Sequence, residues 1–81
     1  MDLSKEEFLV LWSVHEGANN VESIYVATGY DVELIRSMLV ALEKHGFVKI
    51  QKEFDHHFDE EVWKISLTHR ADAAFKHQSG R

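Results

Sequence analysis

The sequence predicts a single α+β domain: three helices, a two-stranded β-hairpin and a short closing helix. The rhythm of apolar residues is the first observation. From residue 4 to 45 they recur at the 3.6-residue spacing of helices, interrupted at Gly17 and Gly29, and after Gly46 they alternate with polar residues, as in strands. Size is the second. With 81 residues, 44% of them apolar and including two Trp, five Phe and two Tyr, the chain supplies one small core.

Each element has a local reason. Ser4 is an N-cap for a first helix over about residues 4–16, and Glu6 and Glu7 put carboxylates at its positive end. Phe8, Leu11, Trp12 and His15 follow at i, i+3, i+4 and i+7, and Leu9, Val10 and Val14 widen the stripe. This helix is expected to be buried on most sides and to stop at Gly17. Asn19 or Asn20 caps a second helix over 20–28, with Val21, Ile24 and Ala27 facing inward, and Gly29 ends it. Asp31 caps a third helix over 31–45, whose Ile35, Met38, Leu39 and Leu42 repeat at helical spacing before Gly46-Phe47 closes it in a Schellman-type turn. Two helices joined by a tight Gly-containing turn read as helix-turn-helix.

In FVKIQKEF, residues 47–54, Val48, Ile50 and Phe54 share one face and Lys49, Gln51 and Glu53 the other. In VWKISL, residues 62–67, Trp63, Ile65 and Leu67 oppose Val62, Lys64 and Ser66. DHHFDEE, residues 55–61, then connects the arms of a hairpin. Thr68 caps a last helix over 69–77 with a narrow stripe of Ala71, Ala74 and Phe75, and residues 78–81 are expected to fray.

The formal net charge is −5, divided as −4 over residues 1–30, −1 over 31–46, −3 over 47–61 and +3 over 62–81. No basic block stands out, which argues against strong nonspecific nucleic-acid binding. Protonating all six histidines would bring the charge to +1, so charge alone does not decide. The absence of Cys excludes disulfides and thiolate metal sites and suits a reducing compartment. MDLSKEEF lacks the features of a secretion signal, and no apolar run approaches the roughly 20 residues that span a bilayer. A soluble cytoplasmic protein with no membrane association is expected.

An enzyme is not expected. Ser4, Ser13, Ser23, Ser37 and Ser66 have no nucleophile motif around them, and there is no phosphate-cradling or dinucleotide fingerprint, so no cofactor is implied. His56 and His57 with Asp59 or Glu60 are the one metal-like group. Neighbouring strand residues point to opposite faces, and the spacing matches no structural zinc motif, so no metal is expected. The stretch reads as a polar loop tip whose negative charge would fall as its histidines protonate.

The succession of helix, helix-turn-helix, hairpin and helix resembles the winged helix-turn-helix family of DNA-binding domains, over roughly residues 4–77. Ile24, the turn Thr28-Gly29 and the run from Leu42 through Gly46-Phe47-Val48 are similar to the family's helix-turn-helix and its junction with the wing. WKISLTHRADAAF is similar to its closing strand, with Leu67-Thr68 leading into the last helix. The pattern is that of small MarR- or ArsR-like regulators. The resemblance implies a recognition helix at 31–45 and a wing at 48–67. It places Glu33, Leu34, Arg36, Ser37 and Val40 toward bases and Lys44, Lys49, Lys52 and Lys64 near phosphates of double-stranded DNA. It also implies a homodimer, for which the Ala71, Ala74 and Phe75 stripe with part of the first helix resembles the pairing surface; the alternative is that this stripe packs on the domain's own core.

The sequence departs from the family pattern at three places. Tyr25 stands where a small residue is usual, with Val26 at a normally polar position; the recognition face has a single arginine; and the wing tip carries Asp55, Asp59, Glu60 and Glu61 where Lys or Arg is usual. Two functions are therefore expected to compete. One is a small DNA-binding transcription regulator. The other is a winged-helix module that binds protein through Tyr25, Val26, Leu34 and Val40, with the acidic tip as a rim.

Overall fold

The structure, a computed structural model, describes residues 3–79. Its elements are α1 (Lys5–His15), α2 (Val21–Thr28), α3 (Val32–Lys44), β1 (Val48–Asp55), β2 (Glu60–Leu67) and α4 (His69–Ser79). Helix α4 runs past the end expected near 77, because nothing in Gln78-Ser79 breaks it; positions 80–81 of the expected tail lie outside the described residues.

The helix starts are set by side chains. Ser4 Oγ accepts the Glu7 N–H at 3.1 Å while Glu7 Oε1 accepts the Ser4 N–H at 3.0 Å, a reciprocal capping box. Asn20 Oδ1 accepts from Ser23 N–H at 2.8 Å, and Asp31 Oδ2 from Glu33 N–H at 3.1 Å. At the end of α3 the Gly46 and Phe47 N–H groups donate back to the Glu43 and Leu42 carbonyls at 3.0 and 2.9 Å. That ending needs a left-handed residue, and Gly46 supplies it at φ +83°.

Every element contributes to one core. Val10, Leu11, Ile24, Ile35, Leu39, Leu42 and Val48 are removed from solvent almost completely, and Ile65, Ala71 and Phe75 join them from β2 and α4. Two expectations are corrected. Ala27 is exposed, so α2 buries only Val21 and Ile24. In α1 the buried row is Val10, Leu11, Ser13 and Val14, whereas Leu9, Trp12 and His15 are exposed. The Ser13 hydroxyl is satisfied there by donating to the Val10 carbonyl at 2.7 Å. The aromatic row of α1 has a different partner: Phe8, Trp12 and His15 gather around Phe75 of α4, with ring centres 5.7, 5.6 and 4.8 Å away. One helix thus serves two neighbours on adjacent faces, which the single stripe concealed.

The hairpin pairs Val48 with Leu67, Ile50 with Ile65, Lys52 with Trp63 and Phe54 with Glu61. Phe54 keeps to the expected face, yet it is exposed, its described ring contact being His56 at 4.9 Å. The outer part of the hairpin has outrun the core. The strands also extend into DHHFDEE, since Asp55 pairs with Glu60. Asp55 Oδ1 accepts the His57 and Phe58 N–H groups at 2.9 and 3.4 Å, and Asp59 turns the chain at φ 55°. That local turn needs only residues 56–59, so the connection is shorter than the composition suggests.

The hairpin's inner half is tied down on both edges. Ile65 N–H donates to the Asn19 carbonyl at 2.8 Å, and Asn20 bridges Lys64, so the α1–α2 loop adds a stub of strand beside β2. On the far side, Ile50 N–H donates to Glu43 Oε2 of α3 at 3.0 Å. Thr68 then closes the base: its hydroxyl donates to the Gly46 carbonyl and its N–H to the Phe47 carbonyl. Among the described residues no helix is long and apolar enough to cross a membrane.

Candidate nucleic-acid interface

Helix α3 sorts its side chains into three strips. Ile35, Met38, Leu39 and Leu42 face the core. At about 100° per residue, Glu33, Ser37, Val40 and Lys44 fall on the opposite side, and Arg36 and Glu43 fall on one flank between the two. All six are exposed. The flank of Arg36 and Glu43 faces the hairpin, because Glu43 takes the Ile50 N–H and Arg36 lies over Trp63.

Trp63 is the centre of this junction. The Arg36 guanidinium carbon is 5.4 Å from its ring centre and Lys52 Nζ is 5.0 Å away, both within cation–π range. Its indole N–H donates to Glu61 Oε1 at 3.0 Å, and its ring packs against the core. In front of it, Glu33, Arg36, Ser37, Val40 and Trp63 border a shallow hollow of about 410 Å³. A cleft of about 790 Å³ adjoins it, sharing Arg36 and Trp63 and running toward Glu22, Asp55, Phe58 and Glu60.

The chain agrees with a solved structure of BpsR from Bordetella bronchiseptica, a protein whose DNA binding is regulated by 6-hydroxynicotinic acid. The TM-score is 0.76 over 94% of this chain, at 17% sequence identity. The chain has the winged helix-turn-helix fold. It spans about half, 52%, of the BpsR chain, and at that identity the likeness carries architecture alone. No family model matches the sequence, and no curated protein aligns with it significantly.

In winged-helix terms α2 and α3 are the helix-turn-helix and β1–β2 the wing. Of the residues singled out from sequence, Glu33, Arg36, Ser37 and Val40 come together at one hollow. Lys44 and Lys49 are exposed and have no acidic partner among the described residues. Lys64 does have one, Glu53 at 3.4 Å, though a pair this exposed holds weakly. Lys52 turns toward Trp63.

Tyr25, Val26, Leu34 and Val40 are 47, 79, 45 and 49% exposed. Leu34 and Val40 lie about 120° apart around α3, so the two do not share a strip. At the wing tip the His56 and His57 rings pack on different neighbours, Phe54 and Phe58, and among the described residues no three His, Asp or Glu side chains converge as a metal site would need.

Two residues of the junction were missed from sequence. Nothing in the sequence singles out Glu43, and Trp63 carries only the strand alternation it shares with Ile65 and Leu67. The Lys52–Trp63 pairing follows from hairpin register; the crossing of Trp63 with Arg36 depends on how the hairpin docks, which no local pattern records.

Proposed function

We propose that the chain is a small DNA-binding transcription regulator, cytoplasmic and homodimeric, that reads duplex DNA with α3. The observation that carries this is the exposed outer strip of α3 with Arg36 on its wing-side flank, on a helix whose reverse face is locked into the core. Inserted in a major groove, Arg36 would pair with guanine O6 and N7, Ser37 would donate or accept at a base edge, Val40 would meet a thymine methyl and Glu33 would accept from cytosine N4. Lys44, Lys49 and Lys64 would meet flanking phosphates. Dimerisation would use the α1–α4 side, where Trp12 is 43% exposed beside Phe75.

Fluorescence anisotropy with duplex DNA tests the reading. Three lysine contacts predict that affinity falls about 40-fold between about 50 and 200 mM salt, and Arg36→Ala should weaken binding. Absence of binding at low salt would refute it.

One observation favours a second reading, a protein-interaction module: four apolar side chains of the helix-turn-helix are at least 45% exposed. Under that reading Val40→Glu abolishes self-association or partner capture, and duplex DNA is not bound.

A further inference from the structure

We infer that Trp63 is a positioning residue for base reading: it holds Arg36 on the wing side of α3, so that the wing sets sequence preference through its stem rather than its tip. The inference rests on the DNA-binding reading above.

The tip is poorly suited to a duplex. It presents Asp55, Asp59, Glu60 and Glu61 where phosphates would lie, and like charges repel. The stem is differently built. Trp63 is fixed from three directions: by backbone register opposite Lys52, by its N–H bond to Glu61 at 3.0 Å, and by packing on the core. An arginine on a bare helix surface samples many rotamers. Here the guanidinium lies 5.4 Å from a ring that is itself held.

Stacking and reading do not compete. A guanidinium rests on an aromatic ring by its planar face, whereas it recognises guanine through the N–H groups along its edge. The hollow bordered by Glu33, Arg36, Ser37, Val40 and Trp63 is open space that the Arg36 and Trp63 side chains both line. Arg36 is thereby set toward the wing end of the footprint, and the guanine it reads lies on that side. Trp63 itself needs no contact with DNA. Ordering the side chain before binding avoids an entropic cost at the moment of recognition, worth about threefold to tenfold in preference for the correct base.

The test is selection of duplexes from a random pool by the full chain and by Arg36→Ala, Trp63→Leu and Trp63→Tyr. Anisotropy on the selected duplex and its single-base changes then measures preference. Arg36→Ala and Trp63→Leu should lose preference at the same base pair, Trp63→Tyr should keep it, and the salt dependence of Trp63→Leu should match wild type. Trp63→Leu selecting the wild-type sequence, or weakening every duplex equally, overturns the inference. A wild type that selects no sequence removes the DNA reading itself, and this inference falls with it. A second measurement needs no variant: Arg36 side-chain protons in wild type should be shifted upfield by the indole ring current, and ordinary shifts there would also overturn it.

Discussion

The Glu43 carboxylate accepts the backbone N–H of Ile50 at 3.0 Å, joining the last turn of α3 to the first strand of the wing. Ile65 sends its N–H outward to Asn19, so Ile50 and Ile65 form a non-hydrogen-bonded pair and the Ile50 N–H also points away from its partner strand. Glu43 therefore satisfies an edge donor that no strand reaches. Glu43→Ala should cost about 1 kcal/mol of stability and speed exchange of the Ile50 amide selectively. Unchanged exchange in a hydrogen–deuterium measurement would show that water replaces the carboxylate without loss.

Thr68 links the two ends of the wing. Its hydroxyl reaches the Gly46 carbonyl across 22 residues of chain, and its oxygen also faces the Ala71 N–H at 3.4 Å. Thr68→Val keeps the shape and removes both bonds. Chemical denaturation should register a loss of about 1–2 kcal/mol; a variant as stable as wild type would mean that the backbone bond from Thr68 to Phe47 is sufficient.

Phe75 is the anchor of α4. It is buried under Phe8, Trp12 and His15, so Phe75→Ala should destabilise the fold by about 3 kcal/mol. Trp12 fluorescence should shift to the red in the same variant at temperatures where the rest remains folded. A full-cost loss with no spectral change would place the damage elsewhere.

The acidic tip makes an electrostatic prediction. Glu60→Gln removes one negative charge from the wing, and if the wing lies along phosphates, duplex affinity should rise about twofold at low salt and return to the wild-type value as salt screens the interaction. Affinity indifferent to the change at every salt concentration would place the tip away from DNA.

Much of the fold was legible because its signals are local. Ser4, Asn20 and Asp31 cap helices whatever they pack against, and the change from helical to strand spacing at Gly46 needs no tertiary knowledge. The errors lie where one side chain has two competing neighbours. The aromatic row of α1 was read as its core face because apolar spacing does not say which partner it meets, and Phe54 was assigned inward because alternation does not say where the core ends. The candidate site divides the same way. The outer strip of α3 follows from the complement of its core strip, whereas the Arg36–Trp63 crossing joins residues 27 apart in sequence and is set by docking angle.

The double tether at the hairpin's base has a mechanical consequence. With Ile50 held to α3 and Ile65 to the α1–α2 loop, the wing is a lever anchored at its base, and among the described residues no backbone hydrogen bond ties its strands to the helices beyond the Gln51–Lys64 pair. Trp63 sits one residue past that pair. Coming down β2 from the DHHFDEE end, Trp63 is thus the first side chain packed on the core, and it is the one that lies against Arg36.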